Sequence, residues 1–219
     1  MKLIAIYGAG GLGREVLMLI RQINENRKEW DPIGFFDDQR PVGTMIDGVP
    51  VIGNIDWLNS LKEELFIVIA VAEPHIKLKM LQKITNRNIV FATLIHPSVQ
   101  MAHYQNSNIG EGTIITAGNI ITTGVNIGKH VIINLKNTIG HDAEIGDFVS
   151  IMPGCNISGN VRIEECVFIG TAAGIINGVR IARNSKVGIG SVVLQDTREG
   201  ETVFGVPAKT VSNRKLPDL

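Results

Sequence analysis

The feature that most constrains this chain is an uninterrupted six-residue repeat between positions 109 and 198. Every sixth residue of the run is Ile or Val, and the residue four places after each is small or β-branched. The first series consists of Ile109, Ile115, Ile121, Ile127, Ile133, Ile139, Ile145, Ile151, Ile157, Ile163, Ile169, Ile175, Ile181, Val187 and Val193. This pattern is typical of a hexapeptide parallel β-helix.

The spacing predicts a triangular prism in which each hexapeptide forms one side and about eighteen residues complete a coil. The run therefore predicts about five coils. The Ile series fills a narrow axis that needs close packing, and the small series lies near the corners, where the chain turns.

The first part of the chain predicts a small, Rossmann-like α/β domain over residues 1–97. Strands at 2–7, 33–36, 65–71 and 89–94 alternate with helices at 14–24, 55–61 and 74–85. Pro41, Gly43 and Gly48 mark a loop. The hinge is placed at His96-Pro97, and residues 98–219 are predicted to hold the β-helix and a C-terminal tail.

Composition excludes several classes of function. The net charge is zero and charged residues make up only 19% of the chain, so no basic surface for nucleic acid or an anionic membrane is expected. Cys155 and Cys166 lie inside the repeat and are interpreted as reduced thiols. The apolar start is too short for a signal peptide or a membrane span. We expect a soluble, cytoplasmic protein.

A glycine-rich turn follows the first strand. Gly8, Gly10 and Gly13 match G-x-G-x-x-G between a strand and a helix, where backbone N–H groups can bind a phosphate. The domain is too short for a full dinucleotide fold, which favours a nucleotide diphosphate such as that of a nucleotide sugar. A tight turn without any ligand is the alternative.

One histidine in the repeat has neighbours that suggest chemistry. His141 is followed by Asp142, which can orient the imidazole, and the eighteen-residue coil places Gly159 above it. A base beside a backbone N–H that faces a developing oxyanion suits acyl transfer. The alternative is a solvated surface histidine.

Further candidates come from the same coil arithmetic. Asn177 stacks above Gly159, and Pro153, Thr171 and Ile189 form a second column that suggests a groove. Asn134 is a polar candidate whose alternative role is to hydrogen-bond its own turn. A zinc site needs three or four ligands, whereas the repeat offers only His130 and His141, so no metal is expected.

Taken together, these motifs resemble a known family. They are Gly8-Ala9-Gly10-Gly11, Asp37-Asp38, Ile95-His96-Pro97-Ser98, Gly140-His141-Asp142 and Gly205-Val206-Pro207-Ala208-Lys209. The whole chain is similar to bacterial acetyltransferases that N-acetylate nucleotide-linked amino sugars and to the related sialic acid O-acetyltransferases. The resemblance implies a homotrimer of left-handed β-helices with acetyl-CoA in the cleft between neighbouring prisms.

The resemblance also implies a role for each candidate residue. His141 would be the general base, Asp142 its partner, Asn134 the residue that holds the acceptor sugar, and Gly159 the donor that polarises the thioester. The coenzyme would lie along Gly159, Thr171, Ile189, Pro207 and Ala208. The nucleotide would be bound by Gly8, Gly10, Gly11, Asp37 and Asp38.

Two positions depart from the relatives. Several relatives carry a second histidine nine residues after the first, and here that position is Ser150. Where relatives often have Gly-Asn after the third strand, this chain has Ala72-Glu73. A carboxylate near a phosphate would be unfavourable, which indicates a different nucleotide or sugar.

The leading hypothesis is acetyl transfer from acetyl-CoA to the amine of a nucleotide-linked amino (dideoxy) sugar for surface glycan synthesis. The same residues could instead O-acetylate sialic acid or another sugar hydroxyl. A non-catalytic trimer that binds a nucleotide sugar is the alternative from a different functional class.

Overall fold

A mainly parallel six-stranded sheet occupies the first part of the chain in the computed structural model, which describes residues 1–211. The strand order is β3-β4-β2-β1-β5-β6, and only the β3–β4 pair is antiparallel. The elements are β1 Lys2–Tyr7, α1 Gly11–Asn26, β2 Trp30–Phe36, β3 Met45–Ile46, β4 Val49–Gly53, α2 Ile55–Ser60, β5 Leu65–Ile69, α3 Pro74–Lys83 and β6 Ile89–Phe91. Helix α1 buries one apolar face on this sheet, with Val16, Leu17, Ile20 and Ile23 at helical spacing.

The repeat forms the predicted parallel β-helix. It begins with β7 Leu94–Ile95, and fifteen further two-residue strands follow. They are β8 Asn108–Ile109, β9 Ile114–Ile115, β10 Ile120–Ile121, β11 Asn126–Ile127, β12 Ile132–Ile133, β13 Thr138–Ile139, β14 Glu144–Ile145, β15 Ser150–Ile151, β16 Asn156–Ile157, β17 Arg162–Ile163, β18 Phe168–Ile169, β19 Gly174–Ile175, β20 Arg180–Ile181, β21 Lys186–Val187 and β22 Val192–Val193. Each pairs in parallel with the strand eighteen residues away, as Ile133 does with Ile151, so five coils are confirmed.

Three corners separate the three sheets of the prism. We name each by one of its residues: the Asn134 corner follows β9, β12, β15, β18 and β21, the His141 corner follows β10, β13, β16, β19 and β22, and the His130 corner follows β8, β11, β14, β17 and β20. From Gly112 to Gly190, every sixth residue has a positive φ and makes the turn. Most of these residues are Gly, Asn or Asp, the types that adopt this conformation most readily.

The small series is buried, and its polar members connect successive coils. At the Asn134 corner, the Asn119 side-chain oxygen accepts from the Asn137 amide at 2.9 Å, and that of Asn137 accepts from the Cys155 amide at 2.7 Å. These side chains therefore satisfy backbone groups that the turns would otherwise leave buried without a partner.

Two predicted elements of the α/β region were wrong. The predicted loop around Gly48 contains the β3–β4 hairpin, in which Asp47 and Gly48 have φ of 48° and 82° and form a two-residue turn. This Asp-Gly pair is a strong hairpin signal in a sequence. The predicted strand over 89–94 is two strands, because Leu94 pairs with Ile114 of the β-helix while β6 pairs with β5.

The α/β region packs directly on the sheet that contains β7, β9, β12, β15, β18 and β21. Ile114 and Ile132 point out of the prism, yet they are buried in one cluster with α1 residues such as Val16 and Ile20. Apolar burial therefore fixes this region on the first coils.

At the C-terminal end, β23 Thr202–Phe204 extends the same sheet and β24 Lys209–Thr210 pairs with it in antiparallel fashion. Residues 212–219 of the predicted tail lie outside the described residues. No helix within residues 1–211 combines the length and apolarity that a membrane crossing requires.

Candidate active site

The His141–Asp142 pair lies on the outer surface of its corner. Asp142 occupies the turn position with φ of 58°, and its Oδ2 is 2.9 Å from Nδ1 of His141. The side chains are 56% and 61% exposed, so a substrate can approach them. Because the carboxylate accepts the Nδ1 proton, Nε2 of His141 is the ring nitrogen left to accept a proton from a substrate.

Gly159 lies directly against this imidazole, as the coil arithmetic predicted. A Cβ built on Gly159 would be 2.4 Å from Nε2 of His141, so any larger residue would displace the ring. The Gly159 carbonyl is held by Nδ2 of Asn177 at 2.6 Å and by the Gly178 amide at 3.1 Å. The Gly159 peptide is thus fixed in orientation beside the candidate base.

The amide of Gly159 is a candidate hydrogen-bond donor for a ligand. In the part of the chain that the structure describes, this N–H has no hydrogen-bond acceptor. The amide of Lys129, at the equivalent place of its own hexapeptide, donates to Oδ1 of Asp147 at 2.7 Å. The sequence has no carboxylate above Gly159, because the residue there is Asn177.

A second glycine, which is not among the predicted site residues, also makes room for the pair. Gly124 lies one coil before Asp142, and a Cβ on it would be 2.5 Å from Oδ1 of Asp142. The eighteen-residue period of the coil could have identified Gly124, because adding eighteen to 124 gives the position of Asp142.

Asn134 lies on a different corner from His141. Its side chain is nearly buried, and Oδ1 accepts from the Leu135 amide at 2.8 Å and from Thr116 at 3.5 Å. The contact with Leu135 is the hydrogen bond to its own turn that was the alternative in the sequence analysis. Within one chain, therefore, Asn134 does not lie beside His141.

The predicted coenzyme residues also lie away from His141. Thr171 and the exposed Ile189 stack on the Asn134 corner, where the Gly190 amide donates to the Thr171 carbonyl at 2.8 Å. Pro207 and Ala208 line a cleft of about 700 Å³ at the end of the prism. Only Gly159, of the predicted coenzyme residues, is next to the candidate base.

The predicted nucleotide residues do come together, at the carboxyl edge of the parallel sheet. Gly10 and Gly11 are exposed, and no atom lies within 4 Å of a Cβ built on either one. Helix α1 starts there, has no side-chain cap, and carries no acidic residue in its first turn. Its free amides and positive dipole end suit an anion.

Asp37 and Asp38 hold this edge together. Asp37 accepts from the Ala9 amide at 2.8 Å, and its other oxygen accepts from two amides of its own loop. Asp38 accepts from the Tyr7 hydroxyl at 3.1 Å and pairs with Lys83 at 3.3 Å. Burial and the nearby Asp38 carboxylate raise the pKa of Tyr7, so this hydroxyl stays protonated. Both carboxylates already have partners within the protein.

A cleft of about 570 Å³ opens beside these carboxylates. It is lined by the 37–42 segment, by residues 52–54 and by Trp57, an indole that is 57% exposed. Trp57 is not among the predicted site residues. An exposed aromatic side chain in a cleft next to a predicted phosphate turn was the signal that could have identified it.

His130 and the two cysteines are buried groups in the repeat. His130 stacks on Phe148 with ring centroids 5.3 Å apart, and its Nδ1 has no hydrogen-bond partner. Burial lowers the pKa of His130 to about 4 and raises the pKa of Cys155 to about 11. Within residues 1–211, no group of three His, Cys, Asp or Glu residues could hold a metal ion.

The two departures from the relatives lie at the junction between the α/β region and the prism. Ser150 is fully buried there, and Glu73 pairs with Lys186 of β21 at 3.3 Å. Glu73 thus has a cationic partner in the prism, and the expectation of a different nucleotide or sugar stays a prediction.

Comparisons with known proteins agree with this architecture. The family model of the PglD N-terminal domain matches residues 3–84. The acetyltransferase domain of PglB from Neisseria gonorrhoeae FA1090, in complex with acetyl coenzyme A, is 33% identical with a TM-score of 0.86. The superposition covers 96% of this chain and 99% of that one.

Two further relatives have a named activity. A mutant perosamine N-acetyltransferase from Caulobacter crescentus, in complex with CoA and GDP-perosamine, is 25% identical with a TM-score of 0.87, over 97% of this chain and 98% of that one. The GDP-perosamine N-acetyltransferase of Escherichia coli O157:H7 is 30% identical over 123 residues. That alignment spans 56% of this chain and 55% of the relative, about half of its length.

The PglB domain is similar over nearly its whole length, and its sequence identity is high enough to establish kinship and not only a shared fold. This protein belongs to the family of bacterial sugar N-acetyltransferases that join a PglD-type N-terminal domain to a hexapeptide-repeat β-helix.

Proposed function

We propose that this protein transfers the acetyl group of acetyl-CoA to the amine of a nucleotide-linked amino (dideoxy) sugar. The observation that carries the proposal is the His141–Asp142 pair held against Gly159 on an open corner of the prism. Independent support comes from one relative named as an acetyltransferase domain with acetyl coenzyme A bound, and from another named as a perosamine N-acetyltransferase with CoA and GDP-perosamine bound. Surface glycan synthesis is the process in which we place the reaction.

The proposed chemistry needs no covalent enzyme intermediate. The sugar amine attacks the thioester carbonyl, a C–N bond forms, and Nε2 of His141 takes the proton that the amine loses. The Gly159 amide donates to the oxyanion of the tetrahedral intermediate. The C–S bond then breaks, and protonated His141 returns the proton to the coenzyme thiolate, which leaves as the thiol. Asp142 keeps the imidazole in the required tautomer.

The α/β region is proposed to hold the nucleotide. Gly10 and Gly11 would bind the diphosphate at the start of α1, and the cleft beside Trp57 would take the nucleoside. Gly8, whose amide donates to the Phe36 carbonyl at 2.9 Å, would shape the turn. Asp37 and Asp38 would shape this site through their hydrogen bonds to the turn and its surroundings. This assignment divides the chain into a nucleotide-sugar domain, predicted over 1–97, and an acetyltransferase domain, predicted over 98–219, although β7 Leu94–Ile95 already belongs to the sheet of the prism.

We propose that the active site is completed between the protomers of a homotrimer. His141 and the candidates Asn134, Thr171 and Ile189 lie on different corners, so a neighbouring prism is needed to bring them together. Exposed apolar side chains around these two corners support an interface: Ile120, Ile176, Ile189 and Leu194. Sedimentation should give three times the 23.8 kDa of one chain, and a monomer that is fully active would contradict this arrangement.

The proposal places the protein in the cytoplasm. Cys155 and Cys166 are both free thiols, as expected in a reducing compartment. Acetyl-CoA and nucleotide sugars are the two substrates that this compartment would have to supply.

Thermal stabilisation tests the two proposed sites separately. Acetyl-CoA, GDP and UDP are added alone and in pairs, because a ligand that binds the folded state raises the melting temperature. We expect acetyl-CoA and one nucleotide to stabilise, with a larger shift for the pair. Stabilisation by acetyl-CoA alone would contradict the nucleotide site, and no shift with acetyl-CoA would contradict the transferase.

A further inference from the structure

A buried lysine joins the α/β region to the prism at the two positions where this chain departs from its relatives. Lys77 lies in the first part of α3 and is only 1% exposed. Its Nζ donates to Oγ of Ser150, in β15, at 3.2 Å. Together with the Glu73–Lys186 pair, these four side chains form what we call the interdomain seam.

Both links of the seam run from the start of α3 to the same sheet of the prism. Glu73 and Lys77 are one helical turn apart at the start of α3, so they lie on one face of this helix. Ser150 and Lys186 lie on β15 and β21, which belong to the same sheet of the prism. The two polar contacts lie at different positions along the axis of the prism. Together they fix the rotation of α3 relative to the prism, which a single contact would not do.

An amine in this position costs folding free energy. Burial lowers the pKa of Lys77 to about 7, although Cys166 and Glu73 act in the opposite direction. An apolar side chain of similar length would fill the same space without the cost of desolvation. The seam is therefore not explained by stability alone.

The seam lies between the two halves of the proposed active site. The loop that leads into α3 touches the glycine-rich turn, because a Cβ on Gly8 would be 3.0 Å from the Ala70 carbonyl oxygen. On the prism side, Ile151 follows Ser150, and its carbonyl accepts from the Asn134 amide at 2.9 Å. A short chain of contacts thus connects the nucleotide turn to the corner proposed to hold the sugar.

We propose that Lys77 is a positioning residue, which through Ser150 sets the orientation of the nucleotide domain on the prism and so the placement of the sugar amine. The inference rests on the proposed function. Binding of the nucleotide alone does not need the seam, because the glycine-rich turn lies wholly within the α/β region. Alignment of the amine with the acetyl group does need it, and small displacements of reacting atoms lower rates strongly.

The test compares Lys77→Met with Lys79→Met, which changes an exposed lysine of the same helix. For Lys77→Met we expect a melting temperature no lower than that of the wild type. We expect kcat/KM for the nucleotide sugar to fall by about tenfold or more. The Kd of the free nucleotide and the KM of acetyl-CoA should stay within about twofold. If Lys77 had only a structural role, Lys77→Met would lower the melting temperature. The ratio of kcat/KM for the nucleotide sugar to the Kd of the free nucleotide would then stay unchanged.

The partner residue provides a second variant. Ser150→Ala should lower the same kcat/KM, and the Lys77→Met/Ser150→Ala double variant should be no worse than Lys77→Met alone. Additive losses, or unchanged kinetics in Lys77→Met beside an active wild type, would overturn the proposal.

Hydrogen exchange separates this proposal from the proposed function. In Lys77→Met, the amides of α3 should exchange faster while those of the coil core do not change. A wild type without turnover would contradict the transferase, and the exchange data would still decide whether Lys77 docks the domain. Unchanged exchange in α3 would refute the docking itself.

Discussion

At the scale of residues, two glycines determine where the His141–Asp142 pair can lie. Gly124 leaves space beside the carboxylate and Gly159 leaves space beside the imidazole, each one coil away along the prism. The two side chains are exposed, and within residues 1–211 they hydrogen-bond only to each other, so these gaps matter more than burial for their placement.

Gly159→Ala should therefore reduce activity without unfolding the protein. The new Cβ would be 2.4 Å from Nε2 of His141 and would push the ring away from the reacting amine. We expect kcat to fall by about 100-fold, as is typical for misplaced catalytic groups. Gly174→Ala is the matched control, because no atom lies within 4 Å of its Cβ. Equal activity in both variants would show that the imidazole does not work from this position.

His130 gives the protein a predictable loss of stability in acid. Its pKa is about 4 in the folded protein, against 6.5 for the ordinary side chain, because burial disfavours the charged form. Between these values the unfolded chain binds a proton that the folded chain does not, so stability falls as pH drops from 6.5 to 4. The full effect is about 3 kcal/mol.

Chemical denaturation of His130→Asn at pH 7.5 and at pH 4.5 checks this prediction. Asparagine tolerates the φ of 53° at this position, so the turn should be kept. The variant should lose less stability than the wild type between the two pH values. The control is His75→Asn, at an exposed position, which should retain the wild-type pH dependence. Parallel curves for the wild type and His130→Asn would contradict the assignment.

At the scale of elements, each corner of the prism depends on side chains that satisfy the backbone of the next coil. Asn137 accepts from the Cys155 amide and donates to the Asn134 carbonyl, and all of these groups are buried. The ladder that starts at Asn119 thus connects three coils at the Asn134 corner.

Asn137→Ala should be strongly destabilising, because it leaves a buried donor and a buried acceptor without partners. We expect a loss of about 3 kcal/mol in the free energy of unfolding. Asn156→Ala, at an exposed strand position, should change it by no more than about 0.5 kcal/mol. Urea denaturation measures both variants, and similar midpoints would show that the ladder does not carry this energy.

The elements of the prism could be predicted almost completely, whereas those of the α/β region could not. In the repeat, the period alone gives the strands, their partners and the stacking of His141 under Gly159. In the α/β region, the short strands have no period, so the Met45–Ile46 and Val49–Gly53 hairpin was missed. Its Asp47-Gly48 turn was the local signal that could have revealed it.

At the scale of the whole molecule, the contacts between the α/β region and the prism could not be predicted from the sequence. Glu73 and Lys186 are 113 residues apart, and no repeat relates one region to the other. The sequence indicated Ser150 only as the position of a missing histidine. In the structure, its hydroxyl accepts a hydrogen bond from Lys77. The two positions that differ from the relatives, Ser150 and Glu73, therefore lie together in the interdomain seam.

The candidate site residues lie on different corners of the prism, which is also a property of the whole molecule. Seven residues separate Asn134 from His141, a spacing that is not a multiple of eighteen, so the two could not stack in one column. The coil arithmetic could have shown this separation. The arrangement of neighbouring prisms cannot be derived from one chain. The trimer is therefore proposed from the exposed apolar side chains at the corners.

The most direct test of the account is acetyl transfer by the wild type and by His141→Ala. Both proteins are incubated with acetyl-CoA and a panel of GDP- and UDP-linked amino sugars, and products are identified by mass. The wild type should N-acetylate one of these sugars. His141→Ala should bind both substrates with Kd within about twofold of the wild-type values, while kcat falls by about 100-fold to 10,000-fold. Turnover of His141→Ala near the wild-type rate would contradict the central claim.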